Sequence, residues 1–318
     1  MLMRKKDILF FILKVGISVA LLALLFSVID IRRTLEEISN VHASVVAVAS
    51  VLYILATLVA TARWRLLLRV QDIHIPYIRL AAYGYSFNFY SVALPGGKIA
   101  AEAIRVYQSM RDYPDVSREK LIVSTLTDRL STVAISFLFA MLFFIVYPNI
   151  ADGLPWWLPY AGIGSLVLIA LIVVMPFERL FGLDEKTDVP VIKSLMTAIG
   201  VYGRHPLVIC AAILYTVLMN ISIAGALFIF ARALDVPVTF FTMFLLLSVG
   251  MVSAFMPLTL AGIGVREGIL AYLIAIVANV PLEIGVSVTL LSLAASFSGV
   301  VVGGLIEGHR AFLRSRPL

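Results

Sequence analysis

The chain has 318 residues, 61% of them hydrophobic and 14% charged, with a mean hydropathy of +1.03, a net charge of +6 and one cysteine. Apolar runs of roughly 20 residues recur along it, the length of a helical span, which excludes an outer-membrane barrel with its weakly alternating strands of about 10 residues. The basic excess falls between the runs, with no long basic tract and no aromatic-interleaved patch, so a nucleic-acid surface is excluded and a polytopic all-α membrane protein is implied.

The first thirty residues open with Arg4, Lys5 and Lys6 as a signal peptide would. The apolar run that follows is too long for one and lacks a small-residue cleavage site, so it reads as a retained first span, Ile8 to Ile29. Further spans are predicted at Val41 to Ala62, Leu121 to Tyr147, Trp157 to Pro176, Leu207 to Ala231 and Ile284 to Ile306. Ile31 to Ile38 and Ile192 to His205 mix apolar and charged residues at helical spacing, which suits helices lying at the headgroup level and equally suits amphipathic connectors. Trp156 and Trp157, flanked by prolines, read as an interface anchor, and Cys210 as a small core hydrophobe.

Two apolar regions, Leu80 to Tyr107 and Phe240 to Ala278, are interrupted near their middles by Pro and Gly, and each reads as two half-helices forming a re-entrant hairpin. The expected architecture is about six full spans plus these two hairpins in one membrane domain, 1–318. Its first half, 1–150, carries the hairpin at 80–107 and its second, 151–318, the hairpin at 240–278. Charge supports that reading. The segments Arg63 to Arg79, Arg105 to Lys120 and Arg179 to Arg204, and the tail with Arg310, Arg314 and Arg316, are all basic, so both termini are expected on the cytoplasmic side of the inner membrane. This works only if the hairpins enter from opposite faces, which implies inverted repeats. Aligning Gly97 with Gly262 also sets Glu102 on Glu267 without a gap. Paired, broken helices meeting near the midplane are a recurrent transporter plan.

Ionisable side chains inside apolar sequence are costly enough to be functional candidates. In the first hairpin Pro95, Gly96 and Gly97 break the chain just before Lys98, Glu102 and Arg105, which share one helix face with Ser109 and Asp112. Free N–H groups at that helix start favour an anion. In the second, Pro257, Gly262 and Gly264 precede Arg266 and Glu267, where the Arg fork suits phosphate and an Arg/Glu pair that pins the hairpin is the competing reading. Asp128 and Arg129 lie well inside a span and are expected to pair with the hairpin charges or contact a substrate. Thr289, Ser292, Ser296, Gly299 and Gly303 form a small-residue stripe of the kind that packs helices closely, and Asn88 and Asn220 are read as interhelical hydrogen-bonding residues.

Nothing points to an enzyme. The histidines His42, His74, His205 and His309 lie at span ends or in loops, no metal-ligand cluster or phosphate loop occurs, and Gly84-Tyr85-Ser86-Phe87-Asn88 lacks the second glycine of a nucleophile turn. No cofactor and no metal site are expected.

At these motifs the chain resembles the flippase-like transmembrane region of the lysylphosphatidylglycerol synthase/flippase family, over nearly its whole length. The carriers are Arg63-Trp64-Arg65, Pro95-Gly96 with Glu102 and Arg105, Asp128-Arg129, and Pro257 with Gly262-Ile263-Gly264-Val265-Arg266-Glu267. Ala101, Ala261 and Thr132 depart from residues common in that family, which bears on headgroup preference. The resemblance implies a protein that moves or binds an amphiphilic lipid, of the phospho- or polyprenyl type, between leaflets. Arg105, Arg129 and Arg266 would receive phosphate, and Glu102, Asp128 and Glu267 would orient them or meet a cationic headgroup. The aminoacyl-transferase domain of full-length members is absent from this sequence, so lipid synthesis is not expected. Alternatives are an ion-coupled transporter of a small solute and a non-transporting partner of an envelope-lipid or glycolipid enzyme. Membrane lipids are the expected partners, and nucleic acid is not one.

Overall fold

The computed structural model describes residues 30–94, 97–151, 200–253 and 264–314, and every element in them is an α-helix. The predicted spans Ile8 to Ile29 and Trp157 to Pro176, the breakers Pro95, Gly96, Pro257 and Gly262, the Trp156-Trp157 anchor and most of Ile192 to His205 lie outside the described residues.

Among the described residues, four helices are long and apolar enough to cross a bilayer. They are α2 (Ala43–Val70), α5 (Arg118–Val146), α7 (Pro206–Ala233) and α10 (Leu282–Arg314), and they stand where spans were predicted. Pro206 opens α7 at the position where a missing N–H costs nothing. Ser117 caps α5, with Glu119 in its first turn complementing the helix dipole.

One boundary needs correction. The span was expected to end at Ala62, with a basic cytoplasmic segment from Arg63 onward, yet the helix continues to Val70, 28 residues in all. Nothing in the sequence breaks it before Asp72, which takes a left-handed φ of 61°. Arg63, Arg65 and Arg69 therefore ride on its last turns, near the negative end of the helix dipole.

Each interrupted region yields two shorter helices, as predicted. The first gives α3 (Tyr77–Ala93) and α4 (Gly97–Asp112), of 17 and 16 residues; the second gives α8 (Phe240–Ser253) and α9 (Val265–Ala278), of 14 each. All four fall below the roughly 20 residues of a full span. α8 and α9 lie against each other so closely that a Cβ on Gly250 would meet Leu270 Cγ at 2.6 Å. Two small elements complete the list: α1 (Ile31–Ser39), capped by Asp30, and the single turn α6 (Pro148–Ala151). α1 is the helix expected at Ile31 to Ile38. It leaves Ile31 and Leu35 exposed and packs Thr34 against α10.

The chain forms two compact units. The first comprises Met1–Thr57, Gly84–Ile104 and Asn220–Leu318, the second Leu58–Tyr83 and Arg105–Met219. In the first, α9 sits between α8 and α10, and Gly285 admits the Ala271 carbonyl at a distance any Cβ would forbid. The predicted small-residue stripe is used in the same unit. Gly299 faces Asn88, and Gly303 lies against the Tyr85 carbonyl, where a Cβ would come within 2.0 Å. In lipid, where burial of apolar groups drives nothing, such close packing is what holds helices together. The second unit has two apolar clusters, one around Trp64, Leu68, Tyr83 and Leu121, the other around Leu67, Val123, Tyr202 and Ala212.

Candidate functional site

Charge placed inside membrane-like helices must find partners, and each unit holds a buried centre where it does so. In the second unit the centre is Asp128, 2% exposed and about 15 Å along α5 from Arg118. Arg63 of α2 donates from Nε to Asp128 Oδ1 at 2.7 Å and from Nη1 to Thr216 Oγ1 of α7, also at 2.7 Å. Arg105 of α4 brings Nη2 to 3.6 Å from Asp128 Oδ2, an ionic contact longer than a hydrogen bond. Its guanidinium lies over the Trp64 ring, 4.1 Å from the centroid, a cation–π contact of roughly 1–2 kcal/mol at a dry site. Beside them the Tyr202 hydroxyl sits 2.9 Å from the Leu67 carbonyl and 3.0 Å from Ser124 Oγ. Two arginines from different helices thus share one carboxylate.

The predicted polar face of α4 is present in part. Arg105 and Ser109 are buried, Glu102 is half-buried and Lys98 is exposed, while Asp112 accepts from the Tyr83 hydroxyl at 2.8 Å. Arg129 is half-buried beside Asp128. Asp128, expected to pair with the charges of the two interrupted regions, meets Arg105 of the first. Arg63 was not foreseen as a site residue, because its charge was taken to end the preceding span; the signal was the unbroken helical pattern running through it.

In the first unit the centre is the start of α9. Gly264, at φ 94°, turns the chain in a conformation that a side chain would strain. Its N–H donates to Glu267 Oε2 at 2.9 Å, so the Glu reaches back over the helix start as in a capping box. Glu267 Oε1 receives Arg266 Nε at 3.0 Å and Nη2 at 2.8 Å. The pair therefore neutralises itself and pins the turn, the competing reading of the sequence, while Arg266 still borders a tight crevice with Tyr53, Thr289 and Ser292. The Tyr53 and Ser292 hydroxyls are hydrogen-bonded across that crevice. A further polar cluster, missed because α10 was expected to stop at Ile306, joins Glu307 to Ser86 at 2.6 Å, Tyr90 at 2.8 Å and Arg310 at 2.7 Å.

Of the two asparagines read as interhelical hydrogen-bonding residues, Asn88 meets that role, donating to Thr57 Oγ1 at 3.0 Å. Asn220 is buried with no hydrogen-bond partner for either amide atom among the described residues. Cys210, expected in the core, is exposed. On a membrane helix an apolar side chain can face lipid without cost, so apolarity does not dictate burial.

Apolar helices of spanning length and charge sealed between them define a multi-pass α-helical membrane protein. Residues 11–304 match the lysylphosphatidylglycerol synthase TM region, and the chain belongs to that family. It is also similar to the UPF0104 membrane protein PH1989 of Pyrococcus horikoshii, 21% identical over 172 residues, or 54% of this chain and 49% of that protein. The match thus spans about half the length of this relative.

Proposed function

We propose that this protein binds an amphiphilic lipid by its phosphate-bearing headgroup and moves it between the leaflets of the inner membrane, as a transporter rather than an enzyme. The observation that carries this reading is the convergence of Arg63 and Arg105 on Asp128, all buried, where the shorter α4 meets two helices of spanning length, α2 and α5. Guanidinium forks match phosphate oxygens, and a charge buried in hydrocarbon is retained where it has a task. Family membership supports it, as does a third arginine, Arg266, at a helix start where anions are favoured. Arg129, Glu102, Glu267 and Lys98 complete the proposed headgroup contacts. The half-helices are read as two re-entrant hairpins in inverted repeats, entered from opposite faces, with both termini cytoplasmic. A polar path for the headgroup, with the acyl tails left in lipid, avoids most of the cost of moving charge through hydrocarbon.

The test is leaflet exchange in reconstituted vesicles with fluorescent anionic, zwitterionic and polyprenyl-phosphate lipids. The wild type exchanges at least one phosphate lipid, and Arg63→Ala, Arg105→Ala and Arg266→Ala slow that exchange by tenfold or more. Equal rates in all three variants overturn the phosphate assignment. Absence of exchange by the wild type overturns transport in favour of an accessory role in envelope-lipid synthesis.

A further inference from the structure

Asp128 occupies the place that an anionic ligand would need. Its two oxygens are directed to different arginines, Oδ1 to Arg63 at 2.7 Å and Oδ2 to Arg105 at 3.6 Å, which is the division of labour two oxygens of a phosphate would adopt. The Arg105 contact is already longer than a hydrogen bond. Two more donors stand on the same helices without a hydrogen-bond partner among the described residues: Trp64 Nε1, on the ring beneath the Arg105 guanidinium, and Thr125 Oγ1, one turn before Asp128. Both residues are more than nine-tenths buried, at 1% and 6% exposure. Buried donors left unmade are costly, and they cluster here around an ion pair.

We infer that Asp128 is an internal stand-in for the ligand: a phosphodiester anion displaces it from Arg63 and Arg105, and the released carboxylate takes up one proton from water as it leaves. This rests on the proposed phosphate-binding role of the same centre. The charge balance is simple. Before binding, Arg63 and Arg105 share the Asp128 carboxylate; afterwards they share one phosphodiester, and an O–H bond has formed on Asp128, so each anion entering brings one proton with it. A carboxylate that loses its cationic partners in a dry interior is neutralised rather than left charged. The charged and titratable groups around Asp128 are Arg63 from α2, Arg105 from α4, its neighbour Arg129 on α5, and Tyr202. Arginine stays charged throughout the accessible range and Tyr202 is neutral below alkaline pH, so Asp128 is the group that exchanges the proton. A transporter built this way draws on the proton gradient with no nucleotide-binding subunit.

The experiment is calorimetric binding of short-chain phosphatidylglycerol, whose own charge is constant between pH 5.5 and 8, to the full chain in nanodiscs. Two buffers of different ionisation enthalpy are used, with the water-soluble deacylated diester glycerophosphoglycerol and the uncharged diacylglycerol as parallel probes. The wild type takes up about one proton per phosphatidylglycerol, its Kd rises about tenfold per pH unit, and diacylglycerol shows neither effect. Asp128→Asn, which mimics the displaced acid, binds as tightly as or more tightly than wild type at pH 8 with no pH slope. If the soluble diester matches the lipid in affinity and slope, the ligand is a free phosphodiester: the proton exchange stands and the lipid reading falls. Phosphatidylglycerol binding with no proton uptake and a flat pH profile overturns the stand-in role while leaving the phosphate site intact. Failure of wild type to bind either diester overturns the phosphate site itself. The wild-type proton count decides the matter even if Asp128→Asn does not fold.

Discussion

Taking the carboxyl group away from Asp128 leaves the Arg63 guanidinium buried with only Thr216 as a described hydrogen-bond partner. Breaking a buried ion pair by removing one partner costs about 3–5 kcal/mol, so Asp128→Ala lowers the thermal midpoint in detergent sharply. Arg63→Met combined with Asp128→Leu recovers part of that loss, because the Arg63 charge no longer needs a partner while Arg105, 3.6 Å from the former carboxylate, stays buried and charged. Thermal unfolding of the single and double variants in one detergent checks both outcomes. Arg266 and Glu267 differ in that the Glu also holds the Gly264 N–H. Both residues were legible in the sequence as charges beside a glycine break. Their mutual pairing, however, left two readings open that only the distances separate from solvent-facing alternatives.

At the scale of elements, helix existence followed from apolar runs and breakers, and the structure places helices at every predicted position that it describes. The errors are boundaries. α2 and α10 run past Ala62 and Ile306 because a charged residue does not end a helix; it ends only the part that can face lipid. The packing of α10 on the first unit can be tested with its own glycines. Gly303→Ala pushes a Cβ into the Tyr85 carbonyl and destabilises the protein by about 1–3 kcal/mol, whereas Gly308→Ala, with nothing within 4 Å, is neutral or stabilising by up to about 1 kcal/mol. Equal melting behaviour of the two variants would contradict that close approach.

For the molecule as a whole, topology is measured directly by labelling from either face. His74 and Asn149 are both exposed and sit near opposite ends of α5, a helix of 29 residues. In a Cys210→Ala background, His74→Cys is labelled by an impermeant maleimide from the cytoplasmic face and Asn149→Cys from the opposite face. Labelling of both from one side would contradict α5 as a crossing. The same Cys210, exposed near the start of α7, shows why whole-molecule burial was not legible: hydrophobicity separates water from interior in a soluble protein, but not lipid from interior here.

The sequence by itself determined that this is a helical membrane protein of the lysylphosphatidylglycerol synthase TM family, with charged residues set among its apolar helices. These properties follow from local composition, because hydrocarbon demands runs of apolar residues and internally satisfied backbone. Only the tertiary structure decided that Asp128 meets Arg63, 65 residues earlier in the chain, as well as Arg105, and that Arg266 turns to its neighbour Glu267. Which partner a buried charge finds depends on how helices distant in the chain pack and on the rotamers that packing allows, and neither has a signature in local spacing.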